Sequence, residues 1–134
     1  MKQTIRFTRS ADEVRLAYAE SGTGPPLVKA ANWLSHLEFD WQSPLWRHWF
    51  GYLSRGRQLV RYDPRGCGLS DWNVTDLSLT QQVADLEAVI EGHGSEALLL
   101  QYPDGAKNTR VIGHKVNSIG SRLRLGMGLA QRLF

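Results

Sequence analysis

Three short apolar runs, "LVKAA" at 27–31, "RQLVRY" at 57–62 and "EALLLQY" at 96–102, are separated by segments whose apolar residues recur at helical spacing. Strand-length runs alternating with helix-length periods leave few choices of fold: a sheet built through crossover connections and covered by helices. The first periodic segment opens with Ser43 and Pro44, carries Leu45, Trp46, Trp49, Phe50 and Leu53 on one side, and stops at Gly56. It predicts a helix over 44–54. In the second, Ser78 and Gln81 form a capping box, Leu79, Val83, Leu86 and Ile90 share a face, and Gly92 ends the run.

Upstream of these elements, "TIRFTR" (4–9) and "VRLAYAE" (14–20) both alternate, and "SADE" between them supplies turn chemistry. An antiparallel hairpin therefore begins the fold as a half-exposed edge. The expected class is α/β: a mainly parallel five-stranded sheet in the spatial order 1, 2, 4, 3, 5, with helices on both faces. Residues 1–102 make up this unit. Residues 103–134 contain scattered apolar residues and glycines without a sustained period, and are expected to form a divergent, irregular basic tail with at most a helix near 121–133.

Composition narrows the function classes. A chain of 134 residues with 42% apolar content has the size of one domain with a single core. The one cysteine, Cys67, excludes an intrachain disulfide, and no C-x-x-C pair exists, so neither a metal nor a cofactor is expected. No stretch approaches the roughly 18 consecutive apolar residues of a membrane span, and no apolar block of signal-peptide length opens the chain. The expectation is a cytoplasmic protein without membrane contact. Residues 1–100 carry 10 Lys/Arg against 12 Asp/Glu, whereas 101–134 carry 6 against 1. The tail is basic, but "NTRVIGHKVNSIGSRLRLG" contains no nucleic-acid-reading motif, and nucleic acid is not expected as a partner.

The stretch "RYDPRGCGLSD" (61–71) follows the fourth strand. A dinucleotide fingerprint would need a third glycine where Asp71 stands. Local chemistry alone reads a turn in which Asp63 and Asp71 cap, Gly66 and Gly68 supply positive φ, and Arg65 bonds Asp63, Asp71 or nearby carbonyls. The pattern Asp-x-Arg-Gly-x-Gly-x-Ser, here Asp63, Arg65, Gly66, Gly68 and Ser70, resembles the loop after the fourth strand in the α/β-hydrolase family. The resemblance extends to the hairpin, to "SGTGPPLV" and to the Trp-rich helix, covering about residues 4–100. It implies that this loop is architectural and braces the floor of an active site at the strands' C-terminal ends.

The same resemblance implies a G-x-S-x-G elbow after the fifth strand, followed in chain order by an acid and a histidine. Gln101, Tyr102, Pro103, Asp104 and Gly105 stand there instead, without Ser or Cys. Some members of the family place an aspartate on this elbow, which makes Asp104 the one candidate nucleophile. Relatives carry His-Gly after the third strand, where this chain has Ala30 and Ala31, so Asn32 and Trp33 are the candidates for an oxyanion-loop N–H. The tryptophans at 33, 41, 46, 49 and 72 line a pocket or pack the core, and His48 flanks the Trp-rich helix.

These readings converge on a truncated or degenerate α/β-hydrolase-like protein without hydrolytic activity on its own. One rival is a small-molecule hydrolase using Asp104. The other is a non-catalytic module that binds a small-molecule ligand or oligomerises and carries a basic tail. A fifth strand ending the family part presents an unpaired, apolar edge, through which a second copy could associate.

Overall fold

The computed structural model describes residues 1–31 and 34–93, together with the backbone of two further strands at 97–100 and 114–116. In chain order the elements are β1 (Gln3–Arg9), β2 (Arg15–Ser21), β3 (Pro26–Lys29), α1 (Leu37–Gln42), α2 (Pro44–Leu53), β4 (Gln58–Tyr62), α3 (Leu79–His93), β5 (Ala97–Leu100) and β6 (His114–Val116). The strands lie side by side in the order β1-β2-β4-β3-β5-β6. The hairpin pairs antiparallel with Gln3 opposite Ser21 and Arg9 opposite Arg15, and β2 pairs antiparallel with β4. At the centre β3 runs parallel to both β4 and β5.

The sheet is thus mixed, not the mainly parallel five-stranded sheet expected from the sequence. Parallel pairing is confined to the crossover-connected centre, while the hairpin can reach β4 only antiparallel because β2 runs against its partner. A sixth strand, β6, falls inside the segment 103–134 and pairs antiparallel with the outer edge of β5. That edge was expected to stand open, and β6 supplies the backbone partners it needs. The expected strand order 1, 2, 4, 3, 5 is present as the first five positions.

Period-2 alternation sorts the strand side chains onto two faces. On one, Leu16, Tyr18, Val28, Val60 and Tyr62 pack against Leu86, Val89 and Ile90 of α3. On the other, Leu27 and Leu59 pack against Phe50 of α2, with Trp41 and Leu53 beside them. A smaller group joins Ala17 and Ala19 of β2 to Leu37 of α1. Val28, Val60, Leu59 and Val89 are completely buried, each contributing about 1.5–3 kcal/mol relative to an exposed side chain. The two longer helices therefore cover opposite faces.

Helix α2 starts where the Ser43–Pro44 pair places it, and α3 starts one residue after Ser78, whose hydroxyl accepts from Gln81 N at 3.4 Å. Gly92 lies inside the last turn of α3, not beyond it. Helix α1 was not expected. It is six residues long, too short to show a period, and it is capped by an atypical residue: His36 Nδ1 accepts from Phe39 N at 3.4 Å. Asn32, Trp33, Asp104 and the segment 121–133 lie outside the described residues.

Candidate functional site

The loop after β4 is organised by two buried charges. Asp63 ends the strand and is fully buried. Its Oδ1 accepts from Ser35 Oγ at 2.7 Å, and its Oδ2 accepts from the backbone N–H of Leu37 at 3.2 Å and of Leu69 at 2.8 Å. A buried carboxylate costs several kcal/mol unless it is hydrogen-bonded, and these three donors engage both of its oxygens. One carboxylate thereby ties the end of β4 to the approach to α1 and to its own loop.

Gly68 makes that possible. Its φ is +51°, and a Cβ there would collide with the Asp63 carboxylate. Gly66 needs its glycine for the backbone alone, at φ +78°. Ser70 completes the junction between strands: its hydroxyl donates to Asp63 O at 2.7 Å and accepts from Ala17 N at 2.9 Å, standing in for a ladder carbonyl. Asp71 ties the loop to the start of β2, its N–H donating to Arg15 O and its carboxylate accepting from Arg15 N, both at 2.9 Å.

Arg65 uses all five of its N–H donors. Nε and Nη2 clamp the Asp85 carboxylate of α3 at 2.7 Å each, Nη1 and Nη2 clamp Asp12 of the hairpin turn at 2.9 and 3.0 Å, and Nη1 also donates to Asp76 O at 2.9 Å. The carboxylates are not Asp63 and Asp71, the partners expected from sequence proximity; of the expected partners only a loop carbonyl is engaged. Arg65 and Asp85 are both about 2% exposed, so their planar fork-to-carboxylate geometry replaces lost hydration. The hydrogen bonds to Asp85 and Asp12 push the guanidinium further toward its charged form. Hydrogen bonding from Arg65 likewise holds the Asp12 carboxyl below its usual 3.8.

Above the loop, at the C-terminal ends of β3 and β4, lies a cleft of about 160 Å³. Leu34, Leu37, Trp46 and Phe50 give it apolar walls, while Lys29, Arg61, Asp40 and Ser35 contribute the polar groups. Lys29 and Arg61 face each other directly across the β3–β4 ladder. Burial, aided by the neighbouring Arg61 charge, pulls the Lys29 ammonium down to about 8, with Asp40 acting in the opposite sense. Burial also draws Arg61 down to about 10 against the pull of Asp40 and Asp63. The Arg61 guanidinium rests 3.8 Å from the centre of the Phe50 ring and donates from Nη2 to Gln3 Oε1 at 2.6 Å. Asp40 accepts from His36 N at 3.3 Å.

The open cleft at the strand ends, the β4 loop beneath it and the strand order give the arrangement its relatives. No family model matches the sequence, and no curated protein does. Among solved structures, an epoxide hydrolase from Vigna radiata superposes with a TM-score of 0.61 at 22% identity, over 77% of this chain and 32% of that one. An alpha/beta hydrolase from Sphaerobacter thermophilus gives 0.60 at 27% identity, over 75% and 36%. A hydrolase from Pseudomonas aeruginosa gives 0.61 at 22%, over 74% and 36%.

The chain carries part of an α/β-hydrolase fold. It spans about a third of the length of the α/β hydrolases it matches. Of the candidate residues, the structure brings Asp63, Gly68 and Ser70 together, and sends Arg65 away to α3 and the hairpin turn. Asn32, Trp33 and Asp104 fall outside the described residues. Trp46 lines the cleft, Trp41 stacks with Phe50 at 6.2 Å, and Trp72 is exposed with its indole N–H on Gly68 O. His48 is exposed on α2. The Cys67 thiol is pushed up by burial, the reverse of an activated nucleophile. Among the described residues no three His, Cys, Asp or Glu side chains converge as metal ligands.

Sequence reasoning missed Lys29, Arg61 and Asp40. The signal was available: "LVK" and "LVR" set a cation at the third position of consecutive buried runs. A cation in a central strand is costly enough to need a local reason.

Two outcomes follow. Arg65→Ala leaves Asp85 buried without its partner, and breaking such a pair costs about 3–5 kcal/mol. Thermal unfolding should show the midpoint falling by roughly 10 °C or more; an unchanged melt would contradict the bracing role. Because the Asp12 carboxyl is lowered on folding, its pairing contributes above its unfolded value of 3.8 and is lost as pH falls through the folded value. Asp12→Asn should therefore destabilise more at pH 6 than at pH 2, as read by denaturant titration at both pH values.

Proposed function

We propose that this chain is a partial α/β-hydrolase-like scaffold that does not hydrolyse substrates on its own. Support comes chiefly from the cleft where such an enzyme gathers its catalytic groups. In the described residues its polar lining is Lys29, Arg61, Asp40 and Ser35, and the Ser35 hydroxyl donates to the buried Asp63 carboxylate in place of a histidine base. The span of about a third of the matched hydrolases agrees with this reading, as does "QYPDGAKN" in place of a serine elbow. Residues 1–102 form the hydrolase-like unit and 103–134 the divergent basic segment, which reaches back to the sheet through β6.

The competing reading is an aspartate-nucleophile hydrolase acting through Asp104, and the epoxide hydrolases among the structural relatives make epoxides the substrates to try. Incubating the full chain with p-nitrophenyl esters and with styrene oxide should give rates equal to the buffer blank and no covalent adduct by intact-protein mass spectrometry. Turnover together with an adduct that Asp104→Asn abolishes would replace the proposal with its rival.

Self-association through the outer edge of β5 requires β6 to leave that edge. Sedimentation velocity at micromolar concentration is expected to give a monomer; a dimer would mean that β6 does not hold the edge against a second copy.

A further inference from the structure

Helix α2 buries one side and leaves the other open. Phe50 packs against Leu27 and Leu59 with Leu53 beside it. Leu45 and Tyr52 are two turns apart and so share a face; they are 70% and 66% exposed, and Trp46, next to Leu45, is 46% exposed. Single exposed apolar residues are ordinary on a protein surface. A leucine and a tyrosine along one face of a ten-residue helix, with a tryptophan at its shoulder, form a stripe instead.

The charge around this stripe has one sign. From Trp41 to Tyr62 the sequence holds Arg47, Arg55, Arg57 and Arg61 and no carboxylate. Arg61 is buried, whereas Arg47 and Arg55 are exposed, within α2 and just past its end. Neither forms an ion pair among the described residues. Each instead lies over an aromatic ring, Arg47 over Trp41 at 5.9 Å and Arg55 over Tyr52 at 5.7 Å, which positions the cation without neutralising it. The neighbouring α1 carries Glu38 and Asp40, and Asp40 belongs to the cleft lining. Residues 94–134 hold Glu96 and Asp104 against six Lys/Arg, so that part of the chain can bring at most two side-chain carboxylates to this face.

An apolar stripe with Tyr and Trp, flanked by arginines, suits the boundary of an anionic bilayer. The rings sit at headgroup level, the arginine stems lie along the acyl boundary, and the lipid headgroups supply the counter-charge. A protein partner would need a groove shaped to a convex helix; a bilayer needs none. We propose that the exposed face of α2 is a peripheral membrane contact, in which Leu45, Trp46 and Tyr52 enter the headgroup–acyl boundary of an anionic bilayer and Arg47 and Arg55 meet its headgroups. The expectation of no membrane contact rested on the lack of a spanning or signal segment, and a surface contact requires neither. A ten-residue helix is about 15 Å long against a hydrocarbon core of about 30 Å, and no helix among the described residues is long and apolar enough to cross a membrane. The contact is independent of whether the chain hydrolyses anything.

The test is co-sedimentation of the full 134-residue chain with vesicles of phosphatidylcholine alone and of an equimolar phosphatidylcholine–phosphatidylserine mixture. Partitioning into the mixture should be at least about tenfold stronger, since each cation at an anionic surface contributes about a fivefold gain, and it should fall as salt rises. Leu45→Asp sets a carboxylate on the stripe, and Arg47→Gln combined with Arg55→Gln removes the flanking charge. Each variant should weaken partitioning into the mixture about tenfold or more, with an unchanged thermal melt because the altered side chains are exposed; where one variant fails to fold, the other decides. Equal partitioning into the two vesicle types, no partitioning into either, or partitioning that neither variant alters, which would assign it to the basic segment 103–134, would each overturn the proposal. So would a single-stranded oligonucleotide that displaces the chain from vesicles and whose binding is weakened equally by Leu45→Asp, since the face would then be a nucleic-acid surface.

Discussion

The buried carboxylate of Asp63 is the interaction on which the rest of this structure depends. It lies where β4 ends, and its two oxygens gather a hydroxyl from Ser35, the first free N–H of α1 at Leu37, and the N–H of Leu69 in the following loop. Each donor belongs to a segment that has left the regular ladder and would otherwise hold an unfilled polar group near the core. Gly68 lets the loop backbone pass close enough, and Ser70 extends the β2–β4 pairing by one step with its side chain. The floor and one wall of the cleft thus share a single electrostatic anchor.

Arg65 performs the complementary task over longer range. Asp63 works within the sheet's upper end, whereas Arg65 joins the hairpin turn through Asp12 and the opposite helix layer through Asp85. The loop over 63–71 consequently touches β1–β2, α1 and α3. Every donor of Arg65 has an acceptor, and in the cleft above Lys29 and Arg61 lie side by side, with Asp40 the carboxylate among the described lining residues.

Much of this fold was legible in the residues. Strand and helix periods located β1 to β5, α2 and α3, and the loop pattern led to the correct fold. What escaped was set by tertiary contact. Helix α1 has neither the length nor the cap to show itself. The partners of Arg65 lie 53 residues upstream and 20 downstream, and no local pattern ties an arginine to either; proximity in sequence pointed wrongly to Asp63 and Asp71. Lys29 and Arg61 were visible as charges within apolar runs, but only the β3–β4 register, which sets them side by side, turns two oddities into a site. The edge-covering β6 is three residues long and comes from a segment with no strand-like alternation of its own.

Asp63 acts as a local organiser of the cleft floor, and not merely as one more contributor to global stability. Native-state amide hydrogen exchange on the wild-type chain and on Asp63→Asn measures this directly, because the amide variant keeps the volume but turns one acceptor into a donor that opposes N–H groups. The predicted result is selective loss of protection at Leu37 and Leu69, with the amides of α3 around Val89 and Ile90 keeping theirs. Protection at Leu37 and Leu69 that is unchanged, or that falls only in step with α3, would contradict the central claim.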